Sequence, residues 1–115
     1  MTVRELADTK KYRVVNLGDG AERSIGKVFC CDLLSIAMGR APAGCAWVTV
    51  MGNMNTLAVA SLADAACVIL AEGMELDGVS VKKAEEQGIT VFASEEPVFD
   101  TALEIYRMIS GDGGL

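Results

Sequence analysis

Apolar and polar positions along the chain change period several times, and each change marks an element. Thr2 stands where a helix N-cap would, and Val3 and Leu6 fall on one side of the stretch Val3–Lys10 while Arg4, Glu5 and Asp8 fall on the other, which predicts a short helix. Tyr12–Leu17 reads as a strand, Gly18-Asp19-Gly20 as a turn, and Ile25–Cys31 as a second extended stretch rich in β-branched and apolar residues. Asp32 is placed to cap a helix over Leu33–Arg40, which Ala41-Pro42-Ala43-Gly44 ends. Cys45–Met51 is predicted as a strand, Gly52-Asn53 as a tight corner, and Asn55–Ala63 as a helix.

Ala66–Leu70 is a short run of apolar residues without alternation, the pattern of a strand covered on both faces. Beyond a loop through Leu76-Asp77-Gly78, Ser80–Gln87 predicts a helix with Gly88 as its C-cap, and Ile89–Ala93 a further buried strand. Pro97 suits the first turn of a last helix. There Phe99, Ala102, Leu103, Tyr106 and Ile109 keep the helical spacing of a buried face, with Asp100, Glu104 and Arg107 toward water. Gly111–Leu115 reads as a frayed tail, so residues 1–110 form one domain. From Cys45 on, strands and helices alternate. The fold class is therefore α/β, a mostly parallel sheet of about four to five strands with helices on its faces and right-handed crossovers.

Composition narrows the chemistry. The chain has 115 residues, one domain's length, and contains no histidine, which excludes Ser-His-Asp and Cys-His nucleophile systems, Glu-x-x-His metal sites and a phosphohistidine carrier. Cys30, Cys31, Cys45 and Cys67 include no C-x-x-C pair, so buried thiols in a reducing compartment are expected rather than a metal site or disulfides. No apolar run reaches the roughly 20 residues of a membrane span, and the charged N-terminus lacks a signal-peptide core; the expected location is the cytoplasm. Residues 1–57 carry seven basic and five acidic groups and residues 58–115 three basic and eleven acidic. No basic stripe exists to neutralise phosphates, which argues against a nucleic-acid partner.

Two nucleotide fingerprints fail. Arg23 stands where a dinucleotide turn starting at Gly18 needs glycine, and Gly20 to Gly26-Lys27 has five intervening residues where a phosphate loop has four, with Val28 in place of Ser or Thr. The ends of the parallel strands offer more: Cys31-Asp32, Met51-Gly52-Asn53 with Asn55, Glu72-Gly73 and Ser94-Glu95-Glu96. Ligands of open α/β sheets bind outside strand carboxyl ends, where crossovers diverge. Gly52 would let a ligand approach the backbone, and the helix starting near Asn55 would offer amides to an anion. Asp32 with Ser35, and Asn53 with Asn55, are equally what plain helix capping would use. Cys31 is disfavoured as a nucleophile by its acidic neighbour.

The run Glu22-Arg23-Ser24-Ile25-Gly26, Phe29, Asp32-Leu33-Leu34-Ser35 with Met38, Trp47-Val48-Thr49, and Asn55 to Ala58-Val59-Ala60 resembles the DRTGG domain family over roughly residues 1–110. That family is similar to the N-terminal domain of HPr kinase/phosphorylase, whose fold some Mur ligases use to bind UDP. The naming motif is altered here: Glu22-Arg23 stands for Asp-Arg and Gly26-Lys27-Val28 for Thr-Gly-Gly. The resemblance implies neither kinase activity nor catalytic residues, because the kinase part lies outside the similar portion.

The function expected is a non-enzymatic regulatory or ligand-sensing module. It would form a homodimer and bind a small anionic metabolite or nucleotide through Asp32, Ser35, Thr49, Gly52, Asn53, Asn55 and Glu72. No cofactor or metal is called for. A purely structural dimerisation or partner-binding domain is the alternative, followed by a metal-dependent enzyme using Asp32, Glu72, Glu95 or Glu96.

Overall fold

The structure is a computed structural model that describes residues 1–111. Its elements in chain order are α1 (Val3–Asp8), β1 (Arg13–Asn16), β2 (Lys27–Cys30), α2 (Leu34–Arg40), β3 (Cys45–Thr49), α3 (Met54–Ala63), β4 (Cys67–Leu70), α4 (Gly78–Gln87), β5 (Val91–Ala93) and α5 (Val98–Ser110). One five-stranded sheet has the order β1-β5-β4-β3-β2. β2 to β5 are parallel, and β1 runs antiparallel along β5. The expected α/β class and mostly parallel sheet are thus what the chain adopts. Of the expected tail, only Gly111 is described, as the left-handed C-cap of α5; residues 112–115 lie outside the described residues.

Period-2 alternation divides the central strands between two cores. Ala46, Val48, Cys67, Ile69 and Phe92 face a layer with Val3 and Leu6 of α1 and Ala102 and Ile105 of α5. Cys45, Trp47, Val68, Leu70 and Val91 face the opposite layer, with Ala37 of α2, Leu57 and Ala60 of α3 and Ala84 of α4. β3 and β4 are buried along their whole length, which is why β4 reads as an unbroken apolar run; β3 differs only in ending on the buried Thr49.

The three crossovers α2, α3 and α4 therefore share one face, and only α5 leaves for the other. Outgoing helices diverge between β4 and β5, not at the end of β3. That divergence is closed by the chain itself. The Glu72 and Gly73 amides donate to the Glu96 and Ser94 carbonyls at 2.8 and 3.0 Å.

Two expectations about helices are corrected. Asp32 does not cap α2: the N-cap is Leu33, with no side-chain hydrogen bond. The buried stripe of α5 is Thr101, Ala102 and Ile105, whereas Phe99 and Tyr106 are exposed. Thr101 supplies what the apolar pattern could not reveal, because its hydroxyl pairs with Ser94 at 2.8 Å inside the core. The buried stripe thus lies roughly one position away from the apolar spacing, with Thr101 on the core side.

Candidate functional site

The corner after β3 is built by two N-caps. Asn53 Oδ1 accepts from the Asn55 and Thr56 amides at 3.0 and 3.2 Å, and Asp77 Oδ1 accepts from the Ser80 amide at 2.8 Å. Those bonds hold the Asp77 carboxyl below the usual range, the backbone donation at Ser80 being the largest cause. α4 begins at Gly78, two residues before the start its sequence pattern gives, because Asp77 acts as cap. The N-termini of α3 and α4 thus lie side by side around a depression of about 250 Å³ lined by Asn53, Met54, Asn55, Asp77, Val79 and Ser80. Ser80 Oγ and Thr56 Oγ1 are buried and have no hydrogen-bond partner among the described residues.

The space above Gly52 is occupied by protein. A Cβ placed there would sit 2.2 Å from the Glu75 carbonyl oxygen, so glycine is required for the 75–76 backbone to pass. Glu72, with a left-handed φ of 61°, sends Oε2 to the Val98 amide at 2.9 Å. It caps α5 from 26 residues away and supplies the acceptor that Pro97, the N-cap, lacks. Asp32 Oδ1 accepts from Thr49 Oγ1 at 2.9 Å, which satisfies a hydroxyl that is otherwise fully buried. Ser35 is exposed on the first turn of α2 and makes no contact with the Asn53–Asp77 depression. Six of the seven candidate residues therefore fall into three groups, Asp32 with Thr49, the α3 corner of Gly52, Asn53 and Asn55, and Glu72 at the α5 cap, while Ser35 stands apart.

The Glu22-Arg23 turn is a clamp. Arg23 Nη1 and Nη2 donate to the two Asp64 carboxylate oxygens at 2.7 and 2.9 Å, and Nη2 also donates to the Asp64 carbonyl at 2.9 Å. This fork lowers the Asp64 pKa and fixes the left-handed C-cap of α3. Glu22 pairs with Arg4, while the Arg23 and Ala21 carbonyls accept from the Val3 and Arg4 amides at the start of α1. Nothing local in the sequence announces the partner 41 residues on. Lys27 opens β2, so no helix N-terminus follows the glycine-rich turn.

No family model matches the chain, and no curated protein matches it. The chemistry must be read from the chain alone. Burial pushes the Cys67 thiol up and the Cys45 thiol to about 11, so both stay protonated at neutral pH. Partial desolvation, followed by the Asp32 charge, also raises Cys30. The Cys31 Sγ lies 3.4 Å from the Leu33 carbonyl, as donor. Among the described residues no group of three or more Cys, Asp or Glu side chains is arranged to hold a metal ion. No helix among them is long and apolar enough to cross a membrane.

A larger opening lies on the opposite layer. α5 and the segment leading into β1 flank an open trench of about 670 Å³, lined by Met1, Lys11, Asp100, Leu103, Glu104, Arg107 and Met108 among others. Glu104 anchors its wall. Tyr12 donates from its hydroxyl to Oε1 at 2.6 Å and Lys11 from Nζ to Oε2 at 3.0 Å, and these two bonds, Tyr12 first, hold the Glu104 carboxyl below its usual range. The sequence pattern gives Asp100, Glu104 and Arg107 as a solvated face and carries no sign of the trench, because Lys11 is 93 residues from Glu104.

Proposed function

We propose that this chain is a non-enzymatic, cytoplasmic regulatory module that self-associates through the outer surface of α2 and α3. One observation carries the reading: α3 has no charged residue in its ten positions, and its outward Met54 and Leu62 are 47% and 75% exposed. A helix that carries no charge on any side and leaves large apolar side chains in water is normally covered on that side as well. Leu33, Ile36 and Met38 add exposed apolar surface on or beside α2, which packs against α3.

A second copy is the occupant that charge favours. The molecule carries a net charge of −6, yet the only charged residue in α2 and α3 is Arg40, so two copies meet there without opposing their acids. A regulatory rather than catalytic role is supported by where the candidate acids spend their oxygens: Asp32 on Thr49, Glu72 on the α5 amide. The resemblance to DRTGG domains and to the N-terminal domain of HPr kinase/phosphorylase points the same way.

The test is sedimentation equilibrium of the wild type against Leu62→Glu. The expected result is a dimer in the wild type at several hundred micromolar and a monomer in the variant, with equal melting temperatures only once the wild type has been diluted until it dissociates. A wild-type monomer at those concentrations overturns the proposal.

A second reading, a small anionic ligand or nucleotide at the α3–α4 corner, is favoured by the unpartnered Ser80 hydroxyl beside two helix N-termini. A thermal-shift screen of nucleotides, UDP-sugars and phosphorylated metabolites tests it. A rise in melting temperature that Ser80→Ala abolishes supports this reading, and a flat response removes it.

A further inference from the structure

We propose that the trench along α5 is a binding site for an elongated zwitterion, with a cationic group held at the Asp100 end and a carboxylate at the Arg107 end. Within the trench, Lys11 and Glu104 neutralise each other at 3.0 Å, and Tyr12 occupies the second oxygen of Glu104. That leaves Asp100 and Arg107 as charged side chains without a hydrogen-bond or ion-pair partner among the described residues. They stand seven positions apart on one face of α5, about 10 Å along a helix rising about 1.5 Å per residue. Leu103 lies between them, and Met1 and Met108 supply apolar wall.

The acidic end is reinforced. A hollow of about 410 Å³ adjoins the trench through Lys11, Asp100 and Glu104 and adds Glu96, whose carboxylate also lacks a partner among the described residues. An opening of this size suits a small molecule, and its few convergent charges on an apolar floor fix orientation. Arg107 offers the planar fork that a carboxylate matches. A free cation or a free anion would meet one fitting end and one repelling end. Only a ligand with both charges, spaced by an apolar chain, uses the whole trench.

The plain competing account is that acids near the start of α5 and a base near its end merely complement the helix dipole. Titration of the full chain with terminal amino acids of increasing length, aminobutanoate, aminohexanoate and aminooctanoate, followed by amide NMR shifts, separates the two. Aminooctanoate, whose charges lie about 10 Å apart when extended, is expected to bind most tightly of the three, with shifts along α5 and at Lys11. Asp100→Asn and Arg107→Gln are each expected to weaken it about tenfold or more. Octylamine should respond only to the first substitution and octanoate only to the second. No shift in α5 up to about 10 mM of any probe overturns the proposal, as does binding that neither variant changes. Both substituted side chains are exposed, so unchanged melting temperatures confirm that the comparison is made between folded proteins.

Discussion

The corner after β3 and the outer surface of α3 are a few residues apart in sequence and opposite in character. The corner is rich in the polar groups that suggest a site, and the protein's own backbone consumes them: Asn53 and Asp77 cap helices, and Gly52 admits residues 75–76. The outward face of α3 carries no charge: it presents Met54, Ala58 and Leu62, with Asn55 and Ser61 as its exposed polar side chains. Polar residues at strand ends are needed to finish helices whether or not a ligand comes, whereas apolar area left in water has no structural reason to be there.

The sharpest way to break this contrast is Gly52→Ala. If the corner is architecture, the added methyl collides with the Glu75 carbonyl and costs about 2–3 kcal/mol, read as a lower urea midpoint. A neutral outcome would mean that residues 75–76 yield easily and the corner is open to other occupants. Next in size are the caps: Asn53→Ala and Glu72→Ala are each expected to cost about 1 kcal/mol while leaving the sedimentation coefficient at fixed concentration unchanged. A cap variant that dissociates the assembly without loss of stability would move the interface to the corner.

The smallest expected effect belongs to the opposite layer. The Glu104 pKa is depressed in the folded protein, chiefly by Tyr12 and then by Lys11. Its stabilising contribution is therefore complete above the unfolded carboxyl value of about 4.3 and is lost as pH falls through the lower folded value. Melting temperature should drop over that acid range, and Tyr12→Phe should reduce the drop. Equal slopes in the two proteins would show that the Tyr12 bond adds nothing.

How much of this was legible in the sequence follows from the range of each interaction. The buried strands β3 and β4, the cap Asn53 and the left-handed Gly88 announced themselves because their causes lie within a few residues. The bonds that define the rest join distant segments: Arg23 to Asp64, Glu72 to Val98, Lys11 and Tyr12 to Glu104. Local pattern carries no record of those pairings. Phe99 and Tyr106 misled for a related reason. An aromatic at helical spacing implies burial only if the sheet lies on that side, and here Thr101, paired with Ser94, takes the core side instead.

An NMR dilution series on the uniformly labelled chain tests the self-association account most directly, because it locates the interface as well as detecting it. On dilution from about 1 mM to about 10 μM the account predicts concentration-dependent amide shifts confined to the outer positions of α2 and α3, among them Ile36, Met54, Ala58 and Leu62, with α5 and the 52–53 corner unmoved. Spectra that superpose throughout, or shifts that map to α5 instead, would contradict it.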